Sequence, residues 1–140
     1  MAEATTGRAL QCVVVTPERA LLDQTVDFVV LPMYDGELGV LPGRAPLIGR
    51  LGPGELRTRR GTQIHRYYVD GGFAQVRANV VTVLTPRAVP AKEINLKAAE
   101  ESLAEAKKPA RPGETPEGKL KAQEKARAQI RVAGKKDSPS

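Results

Sequence analysis

The residues that could perform catalysis are few in this chain and lie far apart. The sequence contains one histidine, His65, and one cysteine, Cys12. Cys12 falls within an apolar run, where a thiol commonly acts as a small buried hydrophobic group, and His65 falls within a strand-like run beside Tyr67. Neither is accompanied by further ligands at a metal-binding spacing. We therefore expect Cys12 to be buried, His65 to be structural or exposed, and no metal or cofactor to be bound.

Carboxylates and glycines give no stronger indication of a catalytic or phosphate-binding site. Asp35 and Glu37 lie two residues apart near a turn, but no base or nucleophile accompanies them. The pair Gly71-Gly72 is not followed by a helical pattern, which disfavours a phosphate-binding loop and predicts a hairpin turn. The sequence thus predicts a protein that is not an enzyme by itself.

The first part of the chain has the residue pattern of β-strands. From Leu10 to Pro86, short β-type runs alternate with turn signals at close spacing, a pattern typical of β-sandwiches and barrels. We expect about ten short strands, with turns at Gly52-Pro53-Gly54 and Gly71-Gly72 and the sheet complete by Pro86. Aromatic residues make up only 4% of the chain, which predicts an aliphatic core.

A helical period replaces the strand pattern after residue 90. Apolar residues then recur every three or four positions, at Leu96, Ala99, Leu103 and Ala106. Pro109 ends this helix and a proline-containing link follows. We predict a mainly β protein with an α appendage: residues 1–90 form a β-sandwich or barrel, and residues 91–140 form a two-helix hairpin with helices at about 91–108 and 117–133.

The second predicted helix has a clear start and a thin apolar face. The order Thr115-Pro116-Glu117 suits an N-cap, a first-turn proline and an acid near the positive end of the helix. Its apolar face consists of Ala122, Ala126, Ile130 and Ala133. Because most of these side chains are single methyl groups, we expect the helix to gain little from packing on its own β domain.

Charge is unevenly divided between the two parts. Residues 1–90 carry ten Arg against eight acids, whereas residues 91–140 carry twelve Lys or Arg against eight acids. The net charge is therefore +2 in the first part and +4 in the shorter second part. No run of residues is long and apolar enough for a membrane span, and the first residues lack a signal peptide's apolar segment. We expect a soluble, cytoplasmic chain whose partners are decided mainly by the tail.

The segment Asp35–Leu47, here called the signature stretch, reads Asp-Gly-Glu-Leu-Gly-Val-Leu-Pro-Gly-Arg-Ala-Pro-Leu. It interleaves aliphatic residues with turn residues, which predicts two short strands joined by stiff turns. The stretch resembles the signature loop of the epsilon subunit of F-type ATP synthases. The likeness extends to three flanking motifs over the first ninety residues: Val15-Thr16-Pro17-Glu18-Arg19, Gly71-Gly72-Phe73 and Val80-Val81-Thr82-Val83-Leu84. One departure is Arg44, which stands where the family usually has His.

The resemblance implies a non-catalytic subunit of a rotary, proton-translocating ATP synthase. The β domain is then expected to bind the gamma subunit and the polar loops of the c-ring, at the cytoplasmic face of a bacterial plasma membrane and peripheral to it. The resemblance assigns this docking to residues of the signature stretch, namely Asp35, Glu37, Leu38, Gly39, Pro42, Gly43, Arg44, Ala45 and Pro46.

The basic second helix carries a regulatory expectation. Its cations are Lys119, Lys121, Lys125, Arg127 and Arg131. The resemblance implies that the helices rise along gamma toward the alpha and beta subunits and inhibit ATP hydrolysis, while the alternative is a solvated tail. Some bacterial relatives bind nucleotide through an Asp and an Arg where this chain has Asn95 and Ala98, so we expect no ATP binding. A small basic β-barrel that binds nucleic acid is the competing function, weakened by the scarcity of aromatic residues.

Overall fold

A computed structural model describes residues 9–109 and 112–134. Within them lie eight strands, a 3₁₀ turn and two helices. The strands are β1 (Leu10–Val15), β2 (Ala20–Val26), β3 (Phe28–Met33), β4 (Gly36–Val40), β5 (Leu47–Arg60), β6 (Gln63–Arg77), β7 (Val80–Leu84) and β8 (Ala88–Pro90). The 3₁₀ turn covers Ala91–Glu93, and the helices are α1 (Leu96–Ala106) and α2 (Pro116–Gly134). The predicted class, mainly β with an α appendage, is confirmed.

The strands form one sheet in the order β2-β1-β7-β6-β5-β3-β4, with β8 paired to β6. All pairs are antiparallel except β1 with β7, which is parallel. The buried core receives aliphatic side chains from each of the strands β1 to β7. A single sheet whose strands all contribute to one core must fold over on itself, which is how a β-sandwich is closed.

The strand number is eight among the described residues, and the expectation of about ten was wrong for a specific reason. The predicted turns at Gly52–Gly54 and at Gly71-Gly72 lie inside the long strands β5 and β6, which stay paired from Leu51↔Gly72 to Pro53↔Asp70. A Cβ on Gly72 would lie 2.0 Å from the carbonyl oxygen of Leu84. Glycine is required here for close approach of β7, with φ at +109°, and no hairpin is formed.

The boundary between strands and helices also differs from the prediction. The sheet continues past Pro86, because Ala88–Pro90 forms β8 and pairs with β6. The first α-helix starts at Leu96 and not near residue 91, since the Asn95 side chain accepts a hydrogen bond from the Ala98 N–H at 3.0 Å and caps the helix. The predicted cap of the second helix is confirmed: Thr115 Oγ1 accepts from the Gly118 N–H at 3.0 Å.

The two helices pack on each other and α2 also packs on β5 and β6. Ala128 and Val132 of α2 form a second buried cluster with Tyr68 and Ala91. The face predicted for α2 was therefore wrong in part: of Ala122, Ala126, Ile130 and Ala133, only Ala126 is buried. The helix does gain contacts from its own β domain, because alanine methyl groups allow it to approach the sheet closely.

Candidate functional site

The signature stretch is divided between two places on the molecule. Glu37 lies near the start of β4 and lines a groove of about 380 Å³ together with Arg131 and Val132 of α2. Arg44 lies beyond the other end of β4 and lines a separate depression. A strand rises about 3.3 Å per residue, so the length of β4 separates the two charges. The structure does not bring Glu37 and Arg44 together.

The loop Leu41–Pro46, here called the signature loop, is held by a tight turn. The Arg44 N–H donates to the carbonyl oxygen of Leu41 at 3.3 Å. Pro42 takes the second position of this turn and Gly43 the third, with φ at +88°, which is the geometry of a type II turn. Of the predicted docking residues, Leu38 and Pro42 are half-buried, whereas the others are exposed: Asp35, Glu37, Gly39, Gly43, Arg44, Ala45 and Pro46.

A second turn supports this loop from the side. The Gly43 N–H donates to Asn79 Oδ1 at 2.8 Å, across 36 residues of sequence. Asn79 belongs to the two-residue turn between β6 and β7, whose residues Ala78 and Asn79 both have positive φ, at 51° and 64°. The sequence reading named neither residue as part of a site. The pair Ala78-Asn79 between two β-type runs is the sequence signal that could have indicated a hairpin turn here.

A shallow depression of about 290 Å³ lies beside the signature loop. Its lining includes the half-buried ring of Phe28, the exposed side chain of Leu41 and Arg44. A Cβ on Gly39 would come within 3.1 Å of the Phe28 ring, so glycine leaves the room that the ring occupies. The Arg59 guanidinium lies 5.5 Å from the centre of the same ring. The site at this end of the molecule is thus an apolar hollow with two cations at its edge.

A separate apolar surface, here called the outer face, consists of Tyr34, Ile48, Phe73 and Leu84, all more than half exposed. Phe73 pairs across the sheet with Leu84 on one side and Arg50 on the other. The Arg50 guanidinium lies 4.6 Å from the centre of the Tyr34 ring. These contacts make the outer face continuous over neighbouring strands. Strand alternation alone did not reveal it, because alternation separates two faces without showing which one stays uncovered.

The five cations predicted for the regulatory helix fall into two groups. Lys119 reaches the carbonyl oxygen of Glu105 at 3.2 Å, and Lys125 pairs with Asp70 of β6 at 3.3 Å. The other three are exposed and form no ion pair with any residue in 9–109 or 112–134, namely Lys121, Arg127 and Arg131. Two of the five therefore hold α2 in its place, and three present charge to solvent.

A buried ion pair underlies the C-terminal part of α2. Arg66 Nε lies 2.9 Å from Glu55 Oε2, and both side chains are almost fully buried. Arg57 contacts the other carboxylate oxygen of Glu55 at 2.7 Å. Arg66 Nη2 in turn donates to the carbonyl oxygen of Val132, one of the last carbonyls of α2. Because the last turn of a helix has no intrahelical donors for its carbonyls, Arg66 supplies one.

The residues first considered for chemistry have no catalytic arrangement. Cys12 is fully buried, as predicted, and burial together with the Asp23 carboxylate raises the pKa of its thiol to about 12. His65 is exposed on β6. Burial likewise raises the pKa of the Tyr68 phenol, whose hydroxyl contacts Asp70. Among the residues that the structure describes, no group of three His, Cys, Asp or Glu side chains could hold a metal ion.

Comparison with known proteins decides which of the two competing functions applies. The model of the family described as "ATP synthase, Delta/Epsilon chain, beta-sandwich domain" matches residues 9–91. The chain belongs to the ATP synthase epsilon-chain family. The predicted identity, an epsilon subunit of an F-type ATP synthase that is not catalytic by itself, is confirmed. Nothing in the comparisons supports the nucleic-acid-binding alternative.

Two relatives extend the likeness beyond residue 91, into the helical part of this chain. The ATP synthase epsilon chain of Rhodopirellula baltica is 52% identical over 128 residues, which cover 89% of this chain and 98% of the relative. That of Rubrobacter xylanophilus is 36% identical over 124 residues, covering 89% of this chain and 84% of the relative. No helix within residues 9–109 and 112–134 is long and apolar enough to cross a bilayer.

Two solved assemblies contain chains of this shape. A chain of the Euglena gracilis mitochondrial ATP synthase, in a structure of its OSCP, F1 and c-ring, superposes with a TM-score of 0.69 at 25% identity, over 93% of this chain and 80% of that one. A chain from the central stalk and c-ring of the Tetrahymena thermophila enzyme superposes with a TM-score of 0.63 at 16% identity, over 92% and 99%. The second likeness concerns the fold alone.

Proposed function

We propose that this epsilon chain couples the rotation of the gamma subunit to the c-ring from the foot of the central stalk, at the cytoplasmic face of a bacterial plasma membrane. The observation that carries the proposal is the outer face. Tyr34, Ile48, Phe73 and Leu84 form a continuous exposed apolar surface on a domain whose core is already filled. Contiguous apolar surface of this kind marks an interface with another macromolecule.

The outer face fits a permanent partner, and we assign it to the gamma subunit. Its aromatic and aliphatic side chains, with Arg50 stacked on Tyr34, have the composition found at the centre of stable protein interfaces. The family resemblance names gamma as the stalk partner of the β domain. Full burial of Ile48, which is 74% exposed, would stabilise such a contact by up to about 1.5–3 kcal/mol, and Phe73, which is already partly buried, would contribute less.

The signature loop fits the polar loops of the c-ring. Its turn is fixed by Pro42 and Gly43, so little conformational entropy is lost when it binds. Leu41, 58% exposed, offers a small apolar contact, and the exposed Arg44 offers a charge. Glu37 belongs to the same proposed contact, although it lies at the other end of β4. A contact through such a rigid loop would hold the chain in one orientation on the rotating ring.

The helical hairpin is proposed as a brake on ATP hydrolysis, acting on the alpha and beta subunits after it leaves the sheet. Lys121, Arg127 and Arg131 remain exposed on α2 for an acidic partner. Exposed ion pairs contribute about 0.2–1 kcal/mol each, so several together are needed to favour the released position. Release of α2 would also have to break the contacts of Lys125 with Asp70 and of Arg66 with Val132.

The coupling proposal is tested by reversing charges in the assembled enzyme. Glu37→Lys and Arg44→Glu should each weaken ATP-driven proton pumping, while thermal unfolding of the isolated chain stays unchanged because both side chains are exposed. Glu18→Lys is the control, since Glu18 is also an exposed acid but lies in the bend between β1 and β2, outside the signature stretch. Full pumping by both variants of the stretch would remove it from the docking site.

The gamma assignment has its own test. Phe73→Asp should prevent copurification of the chain with gamma, because it places a charge in the middle of an apolar contact. Val80→Asp, at an exposed residue at the opposite end of β7 from Leu84, serves as the control. Equal recovery of gamma with both variants would contradict the assignment.

The brake is tested by deletion and salt. A chain ending at Pro109 lacks α2 and should give faster ATP hydrolysis in the assembled enzyme than the full chain. The difference should shrink as salt rises, because exposed charge contacts are screened. Equal rates at every salt concentration would show that the helix is a solvated appendage without regulatory action.

A further inference from the structure

Asn79 is the residue outside the signature stretch that holds the signature loop in place. Its side-chain carbonyl oxygen accepts the Gly43 N–H at 2.8 Å, and its backbone carbonyl oxygen accepts the Gln11 N–H at the same distance. Asn79 thus connects the signature loop to Gln11, near the start of β1. We propose that Asn79 is a positioning residue for the docking function, and this inference rests on the proposed contact between the loop and the c-ring.

Asn79 contacts the signature loop at the Gly43 N–H, which takes no part in the turn's own hydrogen bond. Gly43 occupies the third position of the type II turn, with φ at +88°, and its N–H points away from the turn's own hydrogen bond between Arg44 and Leu41. Without a partner from elsewhere, the turn would be closed internally but free to swing as a unit on its two flanking segments. A bond to Gly43 removes that motion and fixes the exposed side chains of Leu41 and Arg44 relative to the sheet.

The turn that carries Asn79 has an unfavourable backbone conformation, which indicates a functional role for this turn. Arg77 and Val80 pair across a two-residue hairpin, so Ala78 and Asn79 are its central residues. Both have positive φ, as a type I′ turn requires, and this is unfavourable for alanine. Asparagine is among the residues that tolerate this conformation best. The turn therefore keeps a strained Ala78 while directing the amide of Asn79 toward the loop.

Two substitutions separate the turn from the hydrogen bond. Asn79→Gly keeps the positive φ at no steric cost but removes the acceptor. Asn79→Asp keeps both the tolerance for positive φ and an acceptor oxygen at the same position. A purely structural role in the hairpin would leave both variants alike, whereas a positioning role requires the aspartate variant to restore what the glycine variant loses.

The first readout is amide hydrogen exchange of Gly43 in the full chain. In Asn79→Gly we expect this amide to exchange about fivefold faster, as for loss of one ordinary hydrogen bond. The Val80 amide reports on the hairpin itself and should not change. Asn79→Asp should keep the original Gly43 rate. An unchanged Gly43 rate in Asn79→Gly would overturn the proposal, since the bond would then hold nothing.

The second readout is ATP-driven proton pumping by the assembled enzyme, with Arg44→Glu measured alongside. We expect Asn79→Gly to lower the ratio of protons pumped to ATP hydrolysed, and Asn79→Asp to retain it. If Arg44→Glu uncouples the enzyme but Asn79→Gly does not, the positioning role is wrong and the docking function stands. If both variants pump fully, the docking function itself is wrong, and the positioning role with it.

Discussion

The β domain and the helical hairpin are built on different kinds of contact. The core of the β domain is filled by side chains such as Leu31, Leu56 and Val69, which are completely shielded from solvent. The hairpin is attached through Ala128 and Val132, over the ring of Tyr68. A buried Leu or Val contributes about 1.5–3 kcal/mol, and an alanine methyl group contributes far less. The hairpin is therefore attached through a smaller apolar contact than the core of the β domain contains, and the proposed release of α2 depends on this difference.

Polar contacts compensate in part for the small apolar area between the hairpin and the β domain. Arg66 binds a terminal carbonyl of α2, and Lys125 pairs with Asp70 at the surface. These contacts are directional, so they set where α2 sits more than how tightly it is held. In the proposed function, the chain combines a rigid docking unit with a helix whose contacts to the β domain compete with contacts to other subunits.

Leu56→Ala should lower the free energy of unfolding by about 2–5 kcal/mol, because it leaves a cavity in a core that cannot collapse fully. The loss should appear as one cooperative shift in denaturant titration of the full chain. Leu84→Ala is the control, since Leu84 is 52% exposed, and should cost less than about 0.5 kcal/mol. Similar losses for the two variants would contradict the claim that the core carries the stability.

Arg66→Met should cost about 1–3 kcal/mol, the range for leaving a buried hydrogen-bonding group without one of its partners. Glu55 keeps its contact with Arg57, which limits the loss. The change should also weaken the protection of α2 amides more than that of β1, because the Val132 carbonyl loses its donor. Arg57→Met, which removes the other cation paired with Glu55 but no hydrogen bond to Val132, is the comparison. Uniform loss of protection in both variants would contradict a specific role of Arg66 at the helix.

The division at residue 90 is a prediction that deletion can test. A chain ending at Pro90 keeps all eight strands found in the described residues, including β8, and should unfold cooperatively with β-type circular dichroism. We expect a stability loss of about 1–2 kcal/mol, mainly from uncovering Tyr68, which is 1% exposed in the full chain. An aggregated or unfolded product would show that the hairpin is part of the β domain's fold.

Cys12 gives a pH dependence of stability that is absent at neutral pH and confined to high pH. Its pKa is raised to about 12, so the fold favours the protonated thiol. This contribution is fully present below the ordinary thiol pKa of about 8.5 and is lost as pH rises from there through about 12, because only the unfolded chain releases the proton readily. Cys12→Ser should flatten this part of the stability–pH curve. In native protein the thiol should also resist thiol reagents at pH 8, and fast labelling would contradict its burial.

Several features followed from local sequence and others did not. Thr115 and Pro42-Gly43 acted as predicted because caps and tight turns depend on neighbouring residues alone. Gly72 was misread as a turn because its role depends on Leu84, which lies on another strand. The contact of Asn79 with the signature loop was not predicted for the same reason, since its partner Gly43 is 36 residues away. Helix caps and tight turns can be predicted from neighbouring residues, whereas contacts between strands that are distant in sequence cannot be predicted without the fold.

Native-state hydrogen exchange of the full chain tests the contrast between the two regions most directly. We predict that amides in the middle of β5 and β6 exchange only through global unfolding, whereas amides of α2 exchange through a local opening that costs several kcal/mol less. Such an opening is the release that the proposed brake requires. If α2 and the central strands exchange with the same free energy, the hairpin unfolds only with the β domain, and the account of a releasable helix is contradicted.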